Sequence, residues 1–210
     1  REIRPLLDTV DVLFDIHSMQ KSAEPLLLCG MAEQGRGLAG AIGMPRLVVA
    51  DAGHAAGRRM RDYGGFGRED SGKAALLIEC GQHWAKSSET VAIQSAVRLL
   101  HASGCVPDTF GPGVLGDPVE QVFAEVTEVV TIRGESFSFV EEWTGGEIIP
   151  EAGTLLGYDD GEAIRTPYDN CMLVMPTMRT YHGQTAVRLA RVYDQGWSGA
   201  TPSRKLMIAL

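Results

Sequence analysis

Two hydrophobic rhythms divide this chain. Up to about residue 104, short apolar runs alternate with stretches in which apolar residues recur every three or four positions. The runs cover residues 10–16, 26–29, 47–50 and 74–78, and they are rich in Val, Leu, Ile and Phe. Such residues favour a covered, pleated strand, and near-continuous apolar runs suit strands of a parallel sheet buried on both faces. Between them, residues 31–43 place Leu38, Ala39 and Ile42 at helical spacing, ahead of the stop signals Gly43 and Pro45. Residues 1–9 read as the end of a helix with Ile3, Leu6 and Leu7 on one side, and residues 54–63 as a short helix. Ser87 or Ser88 is placed to cap a longer helix with Glu89 in its first turn and an apolar stripe of Ile93, Ala96, Val97 and Leu100. Strands alternating with helices predict an α/β layer with a largely parallel sheet.

The rhythm changes after Gly104. Gly111-Pro112-Gly113 and Asp117-Pro118 read as a linker, and helical spacing is gone from Val122 onward. Val126, Val130, Ile132, Phe137 and Phe139 fall in short strand runs. Arg133-Gly134, Gly145-Gly146, Asp159-Asp160-Gly161 and Asp169-Asn170 break them up. This pattern predicts a compact all-β module, so the chain divides into residues 1–117 and 118–210. Residues 147–176 share the rhythm of a lipoyl- or biotinyl-carrier domain, but the stretch Val174-Met175-Pro176-Thr177-Met178 lacks the lysine that a carrier modifies.

Composition narrows the function classes. The net charge of −8 and the lack of a basic tract argue against a nucleic-acid binder. No apolar run is long enough to span a bilayer and no signal peptide is visible. Cys29, Cys80, Cys105 and Cys171 have no CxxC spacing and read as reduced, mostly buried thiols of a cytoplasmic protein. HExxH, GxSxG, P-loop and GxGxxG signatures are all absent.

Two strand runs end in chemistry. The first finishes as Phe14-Asp15-Ile16-His17-Ser18, and the second delivers Glu79 after five apolar residues, ahead of Cys80-Gly81. Side chains at the carboxyl ends of strands enter the crevice where open α/β sheets bind ligands. His17 is thus placed for a metal ligand or catalytic group. Glu79, in apolar surroundings, is placed for a general base or acid with a raised pKa. Arg68, in a glycine-rich loop ahead of the Glu79 strand, is a candidate for binding a substrate carboxylate. Arg58, Arg59 and Arg61 read as solvated helix-face charges, and His83 as a loop-surface histidine near Glu79. His54 and His101 are weaker candidates, His101 ending an amphipathic helix, and His182 attracts no chemistry.

Phe14-Asp15-Ile16-His17-Ser18 resembles the D-[LI]-H-S strand end of the succinylglutamate desuccinylase/aspartoacylase family, and Leu77-Ile78-Glu79-Cys80-Gly81 its later E-x-G strand. The all-β tail also resembles the family's C-terminal domain. The resemblance implies a three-layer, mostly parallel α/β sheet of the zinc-carboxypeptidase type, incomplete here, followed by a small barrel-sandwich-like β domain. It implies hydrolysis of the amide of an N-acyl amino acid or similar small molecule, with zinc as cofactor. By the same resemblance His17 is a zinc ligand and Glu79 the base that takes a proton from water and returns it to the departing amine. Asp15 either orients His17 or faces away across the strand. The family's upstream HxxE segment, which supplies the other two zinc ligands, has no counterpart in these residues. The chain therefore reads as the C-terminal part of a longer enzyme, with a degenerate descendant as the alternative, and as inactive by itself. Two other classes stay open, a metallocarboxypeptidase acting on peptides and a non-enzymatic binding module with a vestigial site.

Overall fold

The protein is described from a computed structural model, which covers residues 2–53, 59–193 and 206–209. Its described residues fall into two compact units. One holds the residues up to Phe123 together with the strand Leu206–Ala209, and the other begins at Ala124 and runs to Tyr193.

In the first unit the elements are α1 (Arg4–Leu7), β1 (Val12–Met19), β2 (Leu26–Cys29), α2 (Glu33–Ile42), β3 (Leu47–Ala50), β4 (Ala74–Gln82) and α3 (Lys86–Ala102). Three short 3-10 turns lie between β3 and β4. A further strand, β5 (Val122–Thr131), starts in the first unit and continues in the second. The second unit holds β6 (Phe137–Phe139), β7 (Ile148–Ile149), β8 (Leu155–Asp159), β9 (Glu162–Arg165), β10 (Cys171–Val174) and β11 (Thr185–Tyr193), after which β12 (Leu206–Ala209) returns to the first.

The first unit's strands are ordered β12-β1-β4-β2-β3 in a mixed sheet. β1 pairs in parallel with β4 and with β12, and β2 with β3, but β2 runs antiparallel to β4. Leu26 stands opposite Glu79, and Cys29 opposite Leu76. The carboxyl ends of β2 and β3 therefore lie at the opposite edge of the sheet from those of β1 and β4. Alternation along the strands feeds two clusters. Val12, Phe14, Leu76 and Ile78 pack with Leu38, Ile42 and Leu99 of the helices, while Leu13 and Ala75 pack with Leu7, Val10 and Phe66.

Several local features depart from the sequence reading. α3 starts at Lys86, and its cap, Ala85, makes no side-chain cap bond. Ser88 Oγ instead donates to the Gln82 carbonyl at 2.7 Å. The buried residues of α3 are Ser88, Ser95, Val97 and Leu99, whereas Ile93 is exposed. Ser88 and Ser95 thus face inward together with Val97 and Leu99. The expected helix over residues 54–63 lies partly outside the described residues, and its described end is a 3-10 turn, Met60–Asp62. The assignment of residues 118–210 to a β module also needs correction at its end. β12 pairs in parallel with the free edge of β1, Val12 opposite Leu206 and Asp15 opposite Ala209.

In the second unit β6, β8 and β9 form an antiparallel sheet, and β10 pairs antiparallel with β11 and β7. Asp160 and Gly161 between β8 and β9 both have positive φ, 47° and 86°, as a two-residue type I′ hairpin requires. The Asp159 and Asp160 carboxylates accept backbone amides of residues 133–136. Trp143, Leu156, Leu173 and Leu189 form the core, with Trp143 Nε1 donating to the Leu156 carbonyl at 2.9 Å.

Candidate active site

His17 and Glu79 are register partners on adjacent parallel strands, so their side chains leave the same face of the sheet near its carboxyl edge. Asp15, two residues before His17, shares that face and turns toward the histidine. His17 Nε2 donates to Asp15 Oδ1 at 2.8 Å. A carboxylate only accepts, so in the neutral ring this bond leaves the lone pair on Nδ1, the tautomer that second-shell carboxylates impose on metal-binding histidines. Asp15 is buried while His17 is half-exposed. The orienting group is thus fixed in the protein and the ring reaches out of it.

Glu79 is 7% exposed, and its Oε2 is buried with no hydrogen-bond partner among the described residues. Burial pushes its carboxyl up from 4.5 to about 7. Neighbouring His17 and Arg59 oppose that shift and Asp15 adds to it, but loss of water is the largest cause. Gly81 closes this strand end with φ of 116°, and a Cβ there would lie 2.9 Å from Ser88 Oγ. Glycine is required where the chain turns between Glu79 and α3.

Beyond His17 the β1–β4 register shifts between His17 and Met19, a local irregularity of the kind that re-aims side chains beside sites. The His83 amide donates to the Met19 carbonyl at 2.8 Å, and Ser18 Oγ bonds His83 Nδ1 at 2.7 Å. His17, Ser18, His83, Trp84, Lys86 and Glu89 line one cleft of about 470 Å³. His83 is exposed, as the sequence reading expected, and also lines this cleft; that reading overlooked Trp84 and Lys86. Their signal was position, since residues 82–86 are the turn directly after the strand that carries Glu79.

Arg68 does not join this group. It precedes β4, whereas Glu79 lies near its far end, roughly 16 Å along a strand rising ~3.3 Å per residue. Its guanidinium forms an exposed bidentate pair with Asp70 at 2.9 and 2.7 Å. It lines a different cavity, with Gly30, Asp51 and Asp62, at the opposite edge of the sheet. Arg61 is a second departure, because it is fully buried and not a solvated charge. It donates to the carbonyls of Cys29 and Asp51 and to the Asp62 carboxylate, clasping the ends of β2 and β3. Arg59 is mostly buried and pairs with Asp51 at 3.4 Å. Arg58 and His54 lie outside the described residues.

A catalytic zinc takes three protein ligands and an open position. Nδ1 of His17 suits one of those ligands, but among the described residues no group of three His, Cys, Asp or Glu could hold a metal ion. The described residues alone do not make that site. No helix among them is long and apolar enough to cross a membrane.

No sequence-family model matches the chain, and no curated protein sequence does. Solved structures do match in fold. The succinylglutamate desuccinylase of Vibrio cholerae aligns with a TM-score of 0.66 at 16% identity, over 93% of this chain and 61% of that one. The Vibrio parahaemolyticus desuccinylase gives 0.61 at 14% identity, over 85% and 53%. The ectoine utilization protein EutE of Ruegeria pomeroyi, solved with product bound, gives 0.57 at 17% identity, over 89% and 60%. At these identities the likeness is one of fold. This chain spans between 53% and 61% of the length of these three structures.

Proposed function

We propose that this chain supplies His17 and Glu79 to a zinc-dependent amidohydrolase that cleaves the amide of an N-acyl amino acid or a similar small molecule. One observation carries the reading. An oriented imidazole and a buried, unsatisfied carboxylate occupy paired positions at the carboxyl ends of neighbouring parallel strands. Structural positions seldom leave a buried carboxylate oxygen without a partner. The shared fold with desuccinylases and with an ectoine utilization protein supports a deacylase over other hydrolases.

In this reading zinc, when bound, polarises the scissile carbonyl and acidifies water. The remaining steps belong to the chain. Asp15 holds His17 in one tautomer and orientation. Glu79, titrating near neutrality, takes a proton from the attacking water through its free oxygen and returns it to the departing amine nitrogen. The two further ligands come from outside the described residues. The buried free thiols of Cys29, Cys80 and Cys171 suit a reducing, cytoplasmic setting.

The test is a substrate panel on the complete, zinc-loaded protein, with amine release as the readout. N-acyl amino acids should be cleaved and a chelator should abolish the cleavage. Peptide trimming without acyl amino acid turnover would move the assignment to a metallocarboxypeptidase. A folded protein inert toward both classes would leave only a binding module.

A further inference from the structure

The strands that carry His17 and Glu79 lose their regular ladder directly after those two residues. β1 and β4 pair one to one from Val12 opposite Ala74 to His17 opposite Glu79, but the next pair is Met19 opposite Gln82. Two steps along β1 thus match three along β4, and the extra residue lies between Glu79 and Gln82. Such a bulge leaves part of the ladder unmade and lets a strand bend. Gly81 supplies its positive φ of 116°. A strand end without its ladder is free to splay, and splay here would alter the separation of the two side chains borne one pair earlier.

Side chains take over where the ladder stops. Alternation puts Ser18 on the face of β1 opposite Asp15 and His17, and its Oγ meets His83 Nδ1 at 2.7 Å. The His83 amide donates to the Met19 carbonyl at 2.8 Å, so His83 is joined to β1 through both its ring and its main chain. Gln82, the residue before it, is anchored from α3. Its carbonyl accepts from Ser88 Oγ at 2.7 Å and from the Ala85 amide at 3.0 Å. The end of β1 is therefore held on one face by buried Asp15, through His17, and on the other by the turn that follows β4. A hydroxyl both donates and accepts, and imidazole Nδ1 does one or the other. The Ser18–His83 bond thus forms with the ring neutral or protonated.

We infer that Ser18 and His83 are positioning residues, a side-chain brace across the bulge that sets the separation of His17 and Glu79. Their task is to hold the two strand ends, not to touch the reacting atoms. The inference rests on His17 and Glu79 being the hydrolytic pair.

Two measurements on the complete protein separate the inference from the reading beneath it. The first is relaxation dispersion of backbone amides in metal-free protein, which needs neither zinc nor turnover. Ser18→Ala and His83→Ala should each introduce microsecond-to-millisecond exchange at residues 16–19 and 79–82. His83→Asn, which keeps a polar atom near the place of Nδ1, should suppress it again. The second is kinetic, on zinc-loaded protein with an N-acyl amino acid. A misplacement of ~1 Å costs about 10²-fold in rate, so loss of one tie while the main-chain bond remains should lower kcat about tenfold with KM unchanged. The double variant should be no slower than either single one, since both remove the same contact, and His83→Asn should recover most of the rate. Unaltered relaxation in both alanine variants overturns the brace. So does a rise in KM without a fall in kcat, which would make the pair a substrate contact. Additive losses, or no recovery in His83→Asn, overturn it as well. New exchange in the alanine variants of a protein that cleaves no amide upholds the brace and overturns the hydrolytic pair.

Discussion

The two edges of the first unit's sheet both bury charge, and they handle it in opposite ways. At the carboxyl ends of β2 and β3, Arg61 is buried completely but spends its donors on two main-chain carbonyls and the Asp62 carboxylate. Asp51, buried beside it, receives Arg59 and the Gly53 amide. Charge is matched by charge and by backbone dipoles, and the result is a clasp. At the carboxyl ends of β1 and β4, Glu79 is buried with one oxygen unbonded, and its proton affinity rises accordingly. Burial by itself does not mark a site. Nor does a single unbonded atom, since Asp62 Oδ2 in the clasp is also buried without a hydrogen-bond partner among the described residues. Glu79 is set apart by its register pairing with His17 and its raised pKa.

Substitutions at the two edges should therefore fail differently. The largest effect is expected from Glu79→Gln in the complete enzyme, a loss of roughly 10²–10⁴ in kcat, the range for removing a general acid–base. Zinc content should be retained. Turnover close to that of the unaltered protein would take the base role away from Glu79. At the other edge, Arg61→Met should leave activity chemistry intact but destabilise the fold by about 3–5 kcal/mol, as when one partner of a buried pair is removed. Urea unfolding measures it, and an unchanged midpoint would mean that the clasp contributes nothing.

Acidity gives a third contrast. Glu79 binds its proton up to about pH 7 in the folded chain, against an ordinary value of 4.5. Between those values the folded state holds more protons than the unfolded one, so stability falls as pH rises through that window. At ~1.4 kcal/mol per pH unit the loss is at most about 3 kcal/mol, and it should be flattened in Glu79→Gln. Urea titrations of metal-free protein at pH 5 and pH 8 decide this, and equal slopes in both proteins would place the dependence elsewhere. Asp15→Asn should weaken metal binding by about 10–100-fold, the usual cost of altering a carboxylate behind a ligating histidine, as read by chelator competition. The smallest effect belongs to Arg68→Ala. Its exposed pair with Asp70 should leave both the unfolding midpoint and KM where they were. A clear rise in KM would bring Arg68 back to the substrate.

The strands that carry the site were legible because their sequences are extreme. The apolar runs of β1 and β4 can be little else, and their ends announce His17 and Glu79. The Asp15–His17 contact was half legible: alternation puts both on one face, but whether they meet depends on rotamers. What stayed hidden depends on pairing direction. Arg68 precedes the Glu79 strand by only a few residues, which looks close in sequence, but β4 carries the chain away from it. Arg61 was unreadable because its partners, the Cys29 and Asp51 carbonyls, carry no side-chain signature. The buried face of α3 was misread because Ser88 and Ser95 face inward where apolar residues were expected.

The pairing of β12 with β1 also sets an order of assembly. Val12 finds Leu206 across nearly the whole chain, with the second unit lying between them in sequence. During synthesis β1 and β4 meet early, and the other edge of β1 waits until residues 206–209 leave the ribosome. Long-range pairings of this kind slow folding, and an open strand edge invites other strands meanwhile. In sequence, the second unit is inserted between β12 and the rest of the first. The strand bearing His17 is thus the last in the first unit to gain its full set of neighbours.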